Sequence, residues 1–191
     1  GYEYVAITDH SKSSTIASGL DEKRLAKHLD EIEKLAEKYR KEITVLKGSE
    51  VDILKDGRLD YSNDILSKLD VVIASVHSNF KMNKEDMTKR IIKAIENKHT
   101  TAIGHLTGRV INRRDPYEVD FDKILQAAKD NDKALEINAF PSRLDLKDSH
   151  IRKAVENKVK MMIDTDSHDI SHFKYMQFVI AQARRGWATN N

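Results

Sequence analysis

Residues able to bind metal stand at the ends of short apolar runs throughout this chain. Val5-Ala6-Ile7 leads to Asp9 and His10, Thr44-Val45-Leu46 to Glu50, Val71-Val72-Ile73 to His77, and Ala102-Ile103 to His105. Ala134-Leu135-Glu136-Ile137 stops at Asn138, and Met161-Met162-Ile163 runs into Asp164, Asp166 and His168. Imidazole and carboxylate form the ligand set of zinc, manganese or iron where thiolate is absent, and the sequence holds no cysteine. A carboxylate can bridge two such ions. A pair about 3.5–4 Å apart suits phosphate-ester hydrolysis, because it activates water and offsets phosphoryl charge. One histidine alone is more often a surface or hydrogen-bonded residue. Repetition at the strand ends points instead to metal, with Asp166 and His168 at alternate positions that face one pocket. His28, His99 and His150 fall in or beside helical stretches and read as structural or exposed, and His172 reads as a helix-start residue. Asp9 reads as a group that orients His10 from behind, and Asp164 reads equally as such a support for the final loop or as a buried hydrogen-bonded residue.

Such residues meet only if the strand ends share a face. A parallel barrel provides that, since the C-terminal ends of its strands converge. A doubly wound sheet would place a ligand at one switch point and need only one or two functional loops. Strands are expected at Val5–Thr8, Thr44–Leu46 continuing through Glu50 to Leu54, Val71–Val76, Thr101–Ile103, Ala134–Asn138 and Met161–Ile163. Between them lie helical stripes. Leu25, Leu29, Ile32, Ala36 and Tyr39 mark Asp21–Arg40, and a short helix over Ser62–Leu69 follows. Asn83, with Asp86 after it, caps a helix with Met87, Ile91, Ala94 and Ile95 inward. Phe121, Ile124, Leu125 and Ala128 form another stripe, a helix covers Asp148–Asn157, and the last, Ser171–Arg185, is expected to bury Phe173, Met176, Val179, Ile180 and Ala183. Gly48 permits close backbone approach just before Glu50. The alternation of strand and helix with short connections predicts a parallel α/β architecture, a TIM-like barrel with six strands in this chain.

The 191 residues suit one domain, and 34% charged with 39% hydrophobic residues excludes disorder. A formal charge of +2 gives no case for a polyanion partner by itself. The lack of cysteine suits a reducing, cytoplasmic setting. No apolar run approaches the ~18 residues of a membrane span, and no signal peptide is visible. The chain opens on Gly1 at the lip of a strand, so an upstream segment is expected to be missing.

Tyr4 to Ser11 (with Thr8-Asp9-His10), Gly48-Ser49-Glu50-Val51-Asp52, Ser75-Val76-His77-Ser78, Gly104-His105-Leu106-Thr107-Gly108-Arg109 and Asp164-Thr165-Asp166-Ser167-His168 resemble successive motifs of the PHP (polymerase and histidinol phosphatase) domain. Glu136 to Leu146 and Ala183-Arg184-Arg185-Gly186-Trp187 are most similar to the C-terminal PHP domain of bacterial and archaeal family X DNA polymerases. The resemblance covers residues 1–191. It implies a distorted seven-stranded α/β barrel, N-terminally truncated here, with up to three divalent ions, manganese or zinc. By that pattern Glu50 bridges two ions, His77 and His105 complete one site, Asp166 belongs with the second, and His10 and His168 belong to the third. Glu50 and Asp166 are then the catalytic carboxylates. The family's first motif, a His-x-His strand, is absent. The implied activity is 3′→5′ exonuclease action on DNA ends in DNA repair, beside upstream polymerase domains. Arg109, Arg143 and Arg113 would hold phosphate, or form ordinary ion pairs. The alternatives are a histidinol-phosphatase-type phosphomonoesterase and a non-catalytic domain that braces a polymerase or holds DNA.

Overall fold

The computed structural model describes residues 2–189. Six strands alternate with helices: β1 (Tyr4–Ile7), α1 (Glu22–Tyr39), β2 (Thr44–Asp52), α2 (Asn63–Leu66), β3 (Val71–Ser75), α3 (Lys84–Ile95), β4 (Ala102–Ile103), α4 (Phe121–Asp130), β5 (Ala134–Asn138), α5 (Asp148–Glu156), β6 (Met161–Asp164) and α6 (Met176–Arg185). All pairings are parallel and the strand order is the chain order, β1 to β6. This is the expected barrel topology. Among the described residues β1 and β6 do not pair with each other, so the barrel stays open between them.

Caps fix the helix starts. Asp21 accepts from Arg24 N, Asn83 from Asp86 N and Asp120 from Lys123 N, each satisfying an otherwise unpaired N–H of a first turn. The core is continuous from Leu25 and Ile32 of α1, through Val51, Val72 and Ala74, to Ile91, Ile124, Leu135 and Ile151. Covered faces explain the apolar wording of β3, whose Val72–Ser75 are all buried. Gly48 and Gly104 mark places where backbone must pass close. A Cβ on Gly48 would lie 3.0 Å from Ile7 O, and one on Gly104 would lie 2.3 Å from Ser75 Oγ.

The last two elements depart from expectation. β6 is half exposed rather than buried, with Ile163 at 41%, because only β5 flanks it. The final helix is split into a 3₁₀ segment, Ile170–Tyr175, and α6. Val179 is buried, but Phe173 and Ile180 are exposed. Side chains in a 3₁₀ segment repeat every three residues, so the 3.6-residue stripe loses phase there. No described helix is long and apolar enough to cross a membrane.

Candidate metal centre

The site grows from β2, the longest strand. Glu50 and Asp52 alternate with Ser49 and Val51, so the two carboxylates share a face. Beyond β1, Asp9 O accepts from Glu50 N and Glu50 O accepts from Ser11 N, both at 3.0 Å, which sets His10 beside Glu50. His77 follows β3 and His105 follows β4. His105 takes φ 24°, a region that side chains rarely adopt. Its N–H donates to the buried Glu136 carboxylate, which holds the turn in place.

Three donor atoms converge. Glu50 Oε1 lies 2.9 Å from His105 Nε2 and 3.1 Å from His77 Nε2, and the two Nε2 atoms are 3.3 Å apart. Zinc–nitrogen bonds of about 2.0–2.1 Å in a tetrahedron separate neighbouring ligands by about 3.3–3.4 Å. The donor set and its spacing therefore fit one divalent ion. Behind His77, Asp52 accepts from Nδ1, which turns Nε2 toward the cluster, where its lone pair becomes available to a metal once the Nε2 proton is displaced. On the other oxygen of Glu50, His10 Nδ1 stands at 3.5 Å, in contact but not in an aligned hydrogen bond. Electrostatics match this crowding. Burial pulls the His77 pKa down, but its hydrogen bonds to Asp52 and Glu50 outweigh burial and raise it to about 9. Burial opposes the Glu50 charge, yet His105 and His77 hold its carboxyl well below the usual range.

A second wall comes from β5 and β6. Burial pushes Glu136 well above the carboxylate range, with Asp164 and Asp166 adding to it, and Asp164 is raised by burial to about 7. Asp166, at φ 47°, donates its N–H to Asp164 Oδ1 at 3.1 Å and accepts from Asn138 Nδ2 at 3.1 Å. Arg143 Nε sits 3.6 Å from Asp166 Oδ2, and its Nη1 is buried without a partner. His168 is tied back by Nδ1 to Asp166 O at 2.9 Å, is largely exposed, and has its ring 6.2 Å from that of His10.

The structure thus gathers His10, Glu50, His77 and His105 at one point and sets Asp166 and His168 on the facing loop. Arg109 is engaged elsewhere: Nε and Nη2 donate to the carbonyls of Arg143 and Leu144, bracing the loop that carries Arg143. Asp9 does not orient His10; its carboxylate is 2.9 Å from His28 Nε2 of α1. His28 is thus half-buried against Asp9, in contact but without an aligned hydrogen bond, which fits the structural reading of it. His150 stacks on Phe121 at 4.4 Å, and His172 accepts from His168 N at 3.1 Å. Sequence reasoning passed over Asp52 and Glu136 as functional groups. The two-residue spacing of Glu50 and Asp52 on a strand was a usable signal; nothing local marked Glu136.

Fold and site define an open α/β barrel with an imidazole–carboxylate centre at its strand ends. No protein-family model matches the chain. It is 44% identical over 187 residues to the DNA polymerase/3′-5′ exonuclease PolX of Bacillus subtilis, covering 98% of this chain and 33% of that protein. It is 34% identical over 196 residues to a probable phosphatase of Thermoanaerobacter sp., covering 96% of this chain and 75% of that protein. The chain belongs to the PHP family of phosphoesterases. It spans about a third of the Bacillus relative's length. The same fold occurs in a Listeria monocytogenes protein assigned as a histidinol phosphatase, with TM-score 0.69, 16% identity, and coverage of 89% of this chain and 85% of that one. It also occurs in the histidinol phosphate phosphatase of Lactococcus lactis, solved with zinc, L-histidinol and phosphate, with TM-score 0.61, 19% identity, and coverage of 96% and 82%.

Proposed function

We propose that residues 1–191 are the hydrolytic domain of a family X DNA polymerase, removing nucleotides from DNA 3′ ends in the cytoplasm during repair. The observation that carries this reading is the convergence of Glu50 Oε1 with the Nε2 atoms of His77 and His105. The Bacillus relative, named as both polymerase and 3′-5′ exonuclease, supplies the substrate class. Zinc or manganese, when bound there, would supply activation of water and offset charge on the phosphoryl oxygens. Glu50, His77 and His105 would hold one ion, Asp166 with Glu50 a second, and His10 with His168 a third. Asp52 keeps the His77 ring in its binding tautomer. Arg143, whose Nε stands 3.6 Å from Asp166 Oδ2 and whose buried Nη1 has no partner, would hold a non-bridging phosphate oxygen. Arg109 keeps the Arg143 loop in position. Polymerase domains in the same protein would deliver the DNA end.

The zinc, histidinol and phosphate in the Lactococcus neighbour favour a second reading, a small-molecule phosphomonoesterase. Rates on a single-stranded oligonucleotide and on a phosphate monoester, measured with one zinc- or manganese-loaded preparation, separate the two. Release of mononucleotides from 3′ ends supports the exonuclease. Turnover of the monoester alone refutes it.

A further inference from the structure

A row of aromatic rings leads away from the candidate centre. The His168 ring lies 6.1 Å from that of Phe140, which meets His172 at 5.3 Å and Tyr175 at 5.7 Å, both edge to face. His172 and Tyr175 stack with centroids 4.9 Å apart and planes 19° apart, and Phe178 continues the row 5.9 Å from Tyr175. His168 and Phe178 are exposed and Phe140, His172 and Tyr175 are half-buried, with Tyr175 resting in part on the core, so the row keeps solvent-facing ring surface that the fully buried Val179, the anchor of α6, does not. The row is also linked to Arg143 and Asp166. Arg143 N donates to Phe140 O at 2.8 Å, and Asn138 joins Phe140 N to Asp166 through its two side-chain atoms at 2.9 and 3.1 Å. One short loop therefore points a guanidinium toward Asp166 and an aromatic ring toward the row.

We infer that Phe140, His172, Tyr175 and Phe178 form a stacking platform for the bases of a single-stranded nucleic-acid end whose phosphate lies at the candidate centre. The inference rests on the exonuclease reading and specifies how that site selects its substrate. Aromatic faces accept any base, so the platform confers a preference for unpaired, base-bearing ends with little sequence discrimination. A small aliphatic phosphate ester would leave it unused.

The test uses the chain with zinc and two 5′-fluorescein single strands whose last linkage is a phosphorothioate to slow cleavage. One ends in 2-aminopurine and the other in an abasic nucleotide. Fluorescence anisotropy gives the affinities, and 2-aminopurine emission reports stacking. The base-bearing end is expected to bind about 5- to 150-fold more tightly, with quenching on binding. In His172→Leu and Tyr175→Leu that ratio falls toward one and quenching is lost. The two-strand comparison on the unaltered chain decides the matter even if a variant does not fold. Equal affinity for both strands without quenching overturns the platform and leaves the exonuclease reading standing. Failure to bind either strand overturns both.

Discussion

Asp52 is the group whose removal tests the candidate centre with least disturbance. It is buried, accepts from His77 Nδ1, and touches none of the three converging donor atoms directly. Losing such a partner typically lowers metal affinity about 10- to 100-fold, or about 1.4–2.7 kcal/mol. Asp52→Asn keeps an acceptor in place, so the His77 tautomer survives and only the charge is lost. The expected loss is about tenfold. Asp52→Ala also leaves a buried N–H without a partner, a penalty of about 1–3 kcal/mol, and the loss should approach 100-fold. Zinc titration against a chromophoric chelator measures both variants. An NMR titration of the metal-free protein follows the His77 ring, whose pKa should drop from about 9 once its anionic neighbour is gone. Zinc affinities within twofold of the parent in both variants, with the His77 titration unmoved, would refute the reasoning.

Glu50→Ala should lower kcat/KM for phosphodiester hydrolysis at least 100-fold while circular dichroism stays near that of the parent, because one carboxylate serves both imidazoles. Zinc affinity should rise with pH up to about 9, since the metal must displace the proton that Asp52 and Glu50 hold on His77. For the metal-free fold the same shift, upward from 6.5, stabilises at pH below 6.5 and is lost as pH rises through about 9, which chemical denaturation across that range can check. Elemental analysis after long dialysis should find about one tightly held ion per chain, because the closest donors, Glu50 with His77, His105 and His10, gather around a single point; three tightly held ions would contradict this. Gly104→Ala places a Cβ 2.3 Å from Ser75 Oγ and should destabilise by about 1–3 kcal/mol, read as a melting temperature lower by about 2–4 °C per kcal/mol.

The sequence by itself determined the strand–helix alternation, the cap at Asn83, and the residues that converge on Glu50. These follow from short-range physics: apolar periodicity, capping side chains, and the rule that parallel strand ends meet on one face. It also carried the motif order by which the family resemblance was drawn. Only the tertiary structure decided which partner each polar group takes. Asp9 lay next to His10 in sequence yet turned to His28 on α1, while Asp52, in the middle of an apolar run, became the support of His77. Arg109 was diverted to carbonyls of a loop more than thirty residues away, and Glu136 came to hold the backbone of His105. Phe173 and Ile180 fit a helical stripe but stayed exposed, because a 3₁₀ segment shifts the phase and the outer strand is flanked on one side only. Which atoms meet across strands depends on register and loop conformation summed over the whole barrel. Local sequence fixes what a residue can bond, and packing fixes what it does bond.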